Sequence, residues 1–404
     1  MKVINILQHC PAYELIDNVR PLINWDTPND TWVGIWGYDW PDLIGNEVLK
    51  LTNEFEYEIW QPDTRADKIY CHKFDNGLVH RLFPAEIISS SLIYKKTEKL
   101  QSKLMIDRII KESKSGDIIV NVNSFLLNPI THSVLKICEK LKIPVLDTLH
   151  GNIDTYYYRI VYTKNIFKLI CQLYNIHLFK MQLKKCKFIT YQNNDQLEML
   201  KQFKIRNIEF LTMGCDFEYW KAIKTIKPKV KKTFLIASRF VPLKQIDKIL
   251  EIFLKLNSKY DFKIFIAGHG ESAYEQYLKD IATELGDKVE FLGYLSGESM
   301  LSIYQKSDMF ITSSITEGCP VSAMKAIACN ISVFSTNVGG IAEILKRNNS
   351  GILVDRYDYK KWEEELIKFI EGNNIETLNR EIARKYFDWP SIAKKFLNIY
   401  KQMR

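Results

Sequence analysis

The sequence lacks the cysteine and histidine patterns of structural metal sites. Its eight cysteines lie far apart, none of them forms a Cys-x-x-Cys pair, and no histidine cluster has metal-ligand spacing. The wide separation also argues against a disulfide framework of the kind that stabilises small secreted domains. We therefore expect neither a zinc site nor structural disulfides, but reduced and mostly buried thiols, as in a cytosolic protein.

Long apolar runs are also missing. No stretch reaches 18 apolar residues, and the first residues, MKVINILQHCPAYELIDN, have neither the charged and apolar regions of a signal peptide nor its cleavage site. We expect a cytoplasmic protein that is neither secreted nor membrane-spanning. Basic residues outnumber acidic ones by 56 to 48, so the net charge is +8. This excess fits a polyanionic ligand or an anionic membrane surface and does not select between them.

Short runs rich in β-branched and aromatic residues recur along the whole chain, separated by segments with helical periodicity. Examples are DIIVNVN and PVLDTLH in the first half and TFLIASR and MFITSS in the second. This alternation predicts βαβ units and therefore parallel sheets covered by helices. The basic, proline-containing segment 221–232 predicts a linker between two such domains. Ligands of open α/β sheets bind at the carboxyl ends of the strands, so we expect a site between the domains.

One strand-to-helix turn has the residues of an anion site. Glu317 and Gly318 follow a strand-like run, Pro320 suits the first helical turn, and the helix continues from Val321. The free N–H groups of Val321 and Ser322 and the helix dipole favour a phosphate there, while Glu317 suits the hydroxyls of a sugar beside it. An ordinary turn with Glu317 as a solvated cap is an equal alternative.

Two cations follow another predicted strand, at 234–237. Arg239 comes directly after this strand, and Lys244 lies at the start of the next helix. At the mouth of a parallel sheet they can bracket a diphosphate, since arginine is a planar fork and lysine a point charge. For an isolated pair, solvated surface charges are the commoner alternative.

Taken together, SRFVPLKQID, FIAGHGE, VEFLGYLS, SSITEGCPVSAMKA and TNVGGIAEI resemble, in order and spacing, the donor-binding domain of retaining GT-B glycosyltransferases of family 4. The resemblance is strong over residues 233–355 and traceable earlier in VLDTLHGN and LTMGCDFEYW. It implies a GT-B fold, in which two Rossmann-like parallel-sheet domains face an interdomain cleft. These are an acceptor-side domain at 1–220 and a donor-binding domain at 233–386. The final segment 387–404 is similar to the family's closing helix, which packs back on the first domain.

The resemblance implies a role for each matching residue. Arg239 and Lys244 match the cations that stabilise the departing nucleoside diphosphate, and Glu317 matches the glutamate that contacts the donor sugar. His150 matches the first-domain histidine that faces the reacting sugar, although a histidine after a strand is often only structural. Further donor contacts are implied for the turn at Gly318, Cys319, Pro320, Val321 and Ser322, and for the base-reading segment Leu292, Gly293 and Tyr294.

Lys325 departs from the family pattern. It occupies the position of the second family glutamate, whose carboxylate accepts hydrogen bonds from the ribose. An ammonium has three donors and no acceptor, so it cannot reproduce those contacts. Three interpretations stay open: an altered donor site in which Lys325 binds the nucleotide, a lysine turned to solvent, and lost donor binding.

The first domain departs too, because GYDWPDLIGNE replaces the family's Gly-Gly turn. Tyr38, Asp39 and Trp40 can stack on and hydrogen-bond an acceptor sugar, and a packed loop is the alternative. GHG at 268–270 lacks the third glycine of a dinucleotide-binding motif, so we interpret it as a turn lining the cleft.

Residues 156–187 combine apolar positions at helical spacing with a set of lysines: Lys164, Lys168, Lys180, Lys184, Lys185 and Lys187. Helices of this composition can lie in an anionic membrane interface. A core-packing helix with a solvated basic face is the alternative. The sequence does not decide between the two.

The resemblance therefore implies a retaining hexosyltransferase. Its donor is a nucleotide diphosphate sugar, with a UDP-sugar favoured, and its acceptor is a hydroxyl group, as of a lipid-linked saccharide in surface polysaccharide or glycan assembly. The chain has no Asp-x-Asp, and Arg239 and Lys244 supply positive charge, so we expect no metal, no cofactor and no nucleic acid partner. A degenerate GT-B subunit that binds a partner or glycan without transfer is the alternative that Lys325 favours.

Overall fold

The structure, a computed structural model, describes residues 1–8, 40–88, 100–124, 128–150, 166–221, 231–373 and 375–404. The chain forms two compact units. The first comprises Met1–Leu211 and Trp389–Arg404, and the second comprises Thr212–Asp388. None of the helices within these ranges is long and apolar enough to cross a membrane.

The first unit is built on an eight-stranded sheet. The described strands of this unit, in the sheet or in a separate pair, are β1 (Lys2–Ile6), β2 (Glu56–Asp63), β3 (Tyr70–Lys73), β4 (Val79–Pro84), β5 (Glu86–Ile87), β6 (Leu100–Gln101), β7 (Ile118–Val122), β8 (Val145–Thr148), β9 (Phe188–Tyr191) and β10 (Ile208–Phe210). Its first helices are α1 (Trp40–Leu51), α2 (Lys103–Ser115), α3 (Pro129–Leu141), α4 (Ile166–Leu183) and α5 (Asn194–Gln202). The sheet order is β10-β9-β8-β7-β1-β2-β4-β3, parallel except for the edge strand β3, while β5 and β6 form a separate antiparallel pair.

The central strands of this sheet explain its apolar sequence pattern. β1 and β7 are buried along almost their whole length, so they appear as nearly continuous apolar runs rather than alternating ones. Asn5 of β1 has a partner inside the unit: Asn123, the residue after β7, donates through Nδ2 to Asn5 Oδ1 (2.7 Å) and to the carbonyl of Ile6 (2.9 Å). One face of the sheet packs on α2 and α3.

The second unit is a six-stranded, entirely parallel sheet. Its strands are β11 (Lys232–Ala237), β12 (Phe262–Ala267), β13 (Val289–Gly293), β14 (Met309–Thr312), β15 (Ser332–Thr336) and β16 (Ile352–Val354). Its helices are α6 (Ile246–Leu256), α7 (Ser272–Ala282), α8 (Gly297–Lys306), α9 (Val321–Ala328), α10 (Gly339–Arg347), α11 (Tyr359–Ile370) and α12 (Arg380–Phe387). The order β13-β12-β11-β14-β15-β16 is that of a doubly wound dinucleotide-binding sheet. The two sheets, one parallel except at its edge and one entirely parallel, confirm the predicted α/β class.

The last helix, α13 (Trp389–Met403), belongs to the first unit. Its buried face packs beside α1 on the side of the sheet opposite α2 and α3, and the hydroxyls of Tyr400 and Tyr57 lie 3.3 Å apart.

The boundary between the units lies after Leu211, whereas the sequence predicted a first domain at 1–220. Residues 212–220 group with the second unit because Trp220 packs edge-on against Tyr304 (ring centroids 5.6 Å apart) and the Cys215 N–H donates to the carbonyl of Phe387 (2.7 Å). Most of the expected linker, residues 222–230, lies outside the described residues.

Candidate functional site

The sheet of the second unit reverses its winding between β11 and β14, which are neighbours. Crevices of this kind, at the carboxyl ends of the strands, are where doubly wound folds bind ligands. A pocket of about 180 Å³ lies there. Its lining brings together six of the predicted site residues: Arg239, Lys244, Glu317, Pro320, Val321 and Ser322.

The loop that carries Arg239 depends on the GHG turn. The Phe240 N–H donates to the carbonyl of His269 (2.8 Å). A Cβ on Gly268 would overlap the carbonyl oxygen of Ser238, and one on Gly270 would overlap that of Phe240. Only glycine allows this close approach. The turn therefore holds the segment around Arg239 in place, a role that the sequence alone did not reveal.

Lys244 and Glu317 form an ion pair inside the pocket. Lys244 Nζ contacts Glu317 Oε1, and the Ser314 hydroxyl donates to the same oxygen (2.7 Å). Lys244 ends a short 3₁₀ turn, and its carbonyl accepts from the Ser313 hydroxyl (2.6 Å). Residues from both strand ends therefore fix the pair. The pocket combines two cations with one carboxylate.

The turn before α9 rests on the start of α10. The Gly340 N–H donates to the carbonyl of Gly318 (2.8 Å), and Gly339 has a φ of +76°. A Cβ on Gly339 would lie 2.9 Å from Glu317 Cβ and 3.0 Å from the carbonyl oxygens of Glu317 and Gly318. The glycine pair of TNVGGIAEI thus positions Glu317. Although the motif was visible in the sequence, its target was not.

The start of α9 differs slightly from the prediction. Pro320 is the N-cap rather than a residue of the first turn, because its ψ of 116° is extended while its carbonyl accepts from the N–H groups of Ala323 and Met324. Val321 and Ser322 precede the first residues that make these hydrogen bonds, and both line the pocket. Cys319 is buried in the turn, and burial raises the pKa of its thiol.

Lys325 points elsewhere. It is not among the described residues that line the pocket, and its Nζ lies 4.3 Å from the centroid of the Trp220 ring. Burial lowers the pKa of this lysine, although the nearby thiols of Cys215 and Cys329 oppose the shift. The lysine is therefore not turned to solvent. Its role in donor binding stays a prediction.

The expected base-reading segment lies at the carboxyl end of β13. Gly293 has a φ of +65°, and its carbonyl accepts from the Gly268 N–H (2.8 Å). Leu292 is half-buried, whereas Tyr294 is 59% exposed and contacts the His269 ring at 5.7 Å. An exposed aromatic ring at this edge offers a stacking surface.

In the first unit, His150 follows β8 and is buried. Its backbone N–H donates to the carbonyl of Ser124 (3.0 Å), and its ring nitrogen Nδ1 lies 3.2 Å from Gln192 Nε2. With the Gln192 amide nitrogen as the donor, Nδ1 is the acceptor of this pair. Trp40 packs against this ring, with centroids 4.3 Å apart. Tyr38 and Asp39 lie outside the described residues.

A buried carboxyl on β8 precedes His150 by three residues. Asp147 accepts from the Ser124 N–H (3.1 Å) and from the Ser124 hydroxyl (2.7 Å). Burial raises the pKa of Asp147 to about 7, although both of these hydrogen bonds act to lower it. Ser124 thus links this carboxyl to the backbone of His150. No sequence motif marks either residue as functional.

Comparisons with known proteins agree with this arrangement. Residues 220–386 match the family Glycosyl transferases group 1. An uncharacterized glycosyltransferase of Methanocaldococcus jannaschii is 29% identical over 178 residues, which are 42% of this chain and 45% of that protein. A phosphatidylinositol N-acetylglucosaminyltransferase subunit of Homo sapiens is also 29% identical over 178 residues, 42% of this chain and 36% of that protein. The chain thus spans less than half the length of these curated relatives.

Solved structures resemble the whole chain. Sucrose-phosphate synthase from Thermosynechococcus elongatus has a TM-score of 0.71 at 14% identity and covers 100% of this chain and 99% of its own. Anabaena HepE in complex with UDP and glucose has a TM-score of 0.66 at 12% identity and covers both chains fully. At such identities the likeness concerns the fold. Together these findings confirm the resemblance: the fold is that of the GT-B glycosyltransferases, and residues 220–386 match the family Glycosyl transferases group 1.

Proposed function

We propose that the protein is a retaining glycosyltransferase that transfers a hexose from a UDP-sugar to a hydroxyl group of its acceptor. The observation that carries this proposal is the convergence of Arg239, Lys244 and Glu317 on one pocket at the switch point of the second sheet. That pocket contains the charges that a sugar diphosphate requires. The UDP and glucose in the HepE structure support the same donor class.

The cations act on the leaving group. When the bond between the sugar C1 and the diphosphate oxygen breaks, negative charge grows on the diphosphate, and fixed donors aimed there stabilise the transition state most. Arg239 and Lys244 supply this charge, and the N–H groups of Val321 and Ser322 add the positive end of α9. The acceptor oxygen bonds to C1 on the same face, and its proton passes to a diphosphate oxygen. No protein base and no metal ion are needed in this scheme.

The ion pair places the sugar beside the phosphate. An ammonium has three donors, so Lys244 can bind a phosphate oxygen while it still holds Glu317. Glu317 then accepts hydrogen bonds from the hexose hydroxyls at a fixed distance from the diphosphate. In the first unit, we assign His150 to the donor sugar only as the family resemblance implies.

The acceptor that we propose is a lipid-linked saccharide. A relative with 29% identity is named for transfer to phosphatidylinositol, which is a lipid. Enzymes with such acceptors work at a membrane surface, and the net charge of +8 favours an anionic one.

A panel of nucleotide sugars tests the proposal, with released nucleoside diphosphate as the readout. Arg239→Ala and Lys244→Ala should each lower turnover by roughly 10²- to 10³-fold. Lys279→Ala is the matched control, because this lysine lies on α7 of the same unit and pairs with Glu275, one helical turn away. EDTA should leave activity intact, and NMR of the product should show a retained anomeric configuration.

Two results would overturn the proposal. Release from none of the donors would favour a degenerate subunit that binds a glycan or partner without transfer. An inverted product would contradict the retaining mechanism while leaving the donor site in place.

A further inference from the structure

Helix α4 has apolar residues on two opposite sides. One side packs into the first unit: Phe179 and Leu183 are buried with Leu200 and Phe203, and Ile176 packs beside them. Their spacing of three and four residues is that of one helix face. This face accounts for the attachment of α4 to the unit.

The opposite side is apolar and exposed. The exposed fractions are 77% for Ile166, 60% for Ile170, 52% for Leu173, 53% for Tyr174 and 45% for Met181. We call these five residues the outer apolar face of α4. They recur at helical spacing and form one stripe, in which the exposed His177 lies between Tyr174 and Met181. Five of the fifteen exposed large apolar side chains among the described residues lie on this single helix, and contiguous patches of this kind mark interaction surfaces.

The stripe ends in positive charge. Residues 166–187 contain five lysines and neither Asp nor Glu. At the carboxyl end of the helix, Lys184 and Lys185 are exposed, with Lys185 also pairing with Glu139 (2.7 Å). An apolar face with a cationic end complements a surface that is apolar inside and anionic outside.

We propose that the outer apolar face of α4 lies in the interface of an anionic membrane, with Lys184 and Lys185 at the lipid headgroups. A second copy of the chain is a poorer occupant, because it would bring two strongly basic segments together. The inference rests on the proposed function in one respect, since a lipid-linked acceptor is presented at such a surface. The contact itself requires no donor and no transfer.

Cosedimentation of the purified full chain with vesicles tests the contact. We expect binding to phosphatidylcholine vesicles that contain phosphatidylglycerol, less binding without phosphatidylglycerol, and release as salt rises, because salt screens the lysine charges. The double variant Ile170→Gln/Leu173→Gln should bind roughly tenfold more weakly, since these exposed side chains would no longer be buried in the interface. Lys184→Glu should weaken binding by a similar factor.

The controls are exposed side chains of the second unit. Tyr277→Gln and Ile382→Gln change residues that are 44% and 36% exposed, and we expect their vesicle binding to be unchanged. Equal losses in controls and α4 variants would overturn the proposal, as would equal and negligible binding to both vesicle types. A dimer in sedimentation velocity that Ile170→Gln/Leu173→Gln dissociates would also overturn it.

The same proteins separate this inference from the enzymatic proposal. Nucleotide release in vesicle-free buffer should be unchanged in Ile170→Gln/Leu173→Gln. Vesicle binding without release from any donor would refute only the enzymatic function, whereas release without vesicle binding would refute only the membrane contact.

Discussion

Replacing Gly339 with alanine tests how the pocket is built. Gly339 has a φ of +76°, and an added Cβ would lie 2.9 Å from Glu317 Cβ and 3.0 Å from the Glu317 and Gly318 carbonyl oxygens. The left-handed backbone conformation alone costs about 1–2 kcal/mol for a residue with a Cβ. The contact adds a second effect, because the Glu317 turn must move by about half an ångström to restore van der Waals contact.

This displacement should reduce catalysis. A misplacement of about 1 Å can cost on the order of 10²-fold in rate, so half of that should lower turnover by roughly tenfold in Gly339→Ala. We expect the free energy of unfolding to fall by about 1–2 kcal/mol or more. Urea denaturation measures the unfolding energy, and release of nucleoside diphosphate from the donor measures turnover.

Gly372→Ala is the matched control. Gly372 lies in the same unit with a φ of +97°, and an added Cβ would meet nothing within 4 Å. This variant should lose a similar amount of stability through backbone strain but keep its turnover. Equal turnover in the two variants would refute the argument that Gly339 positions Glu317.

Three further predictions concern buried charges, each measured by urea denaturation across pH. Because burial raises the pKa of Asp147 to about 7, the wild type should lose stability relative to Asp147→Asn between about pH 4 and pH 7, with no further loss above. Burial lowers the pKa of Lys325 below 10.5, so Lys325→Met, which keeps the packing on Trp220, should be at least as stable at pH 7. The free energy of unfolding of the wild type should then rise relative to that of Lys325→Met as pH approaches 10.5. Glu58 is buried, which raises its pKa, but hydrogen bonds from Arg81 and other donors lower it to about 2. Glu58→Gln should therefore lose less stability than the wild type as pH falls from 4.5 towards 2.

The class of fold was predictable because it depends on local patterns. Buried parallel strands give continuous apolar runs, and the helices between them have their own period, so both sheets could be inferred without contacts. Arg239 and Glu317 could be singled out for a similar reason. Each follows a strand directly, and the strand ends of a parallel sheet meet at one edge.

The supports of the site could not be predicted in this way. Gly268 packs on Ser238 and Gly339 packs on Glu317, and each pair joins segments that only the folded sheet brings together. The position of Lys325 has the same cause. Its partner, Trp220, lies more than a hundred residues earlier in the sequence. None of the interpretations of Lys325 from the sequence therefore included a contact with this ring.

Helix α4 shows a different limit. Its apolar positions and its lysines were visible in the sequence, but a helix that is apolar on two sides does not reveal which side the core covers. The structure buries Phe179 and leaves Ile170 and Leu173 exposed. The acceptor hypothesis for Tyr38 and Asp39 stays a prediction, since both residues lie outside the described ranges.

Calorimetric titration with UDP tests the central claim most directly, namely that Arg239 and Lys244 bind a nucleoside diphosphate in the second unit. Arg239→Ala and Lys244→Ala should each weaken binding by about 1.5–3 kcal/mol, the worth of a hydrogen bond to a charged group, which is roughly 10- to 150-fold in Kd. Lys279→Ala should bind UDP as the wild type does. Identical affinities in all four proteins would contradict the account, because the diphosphate would then not lie between these two cations.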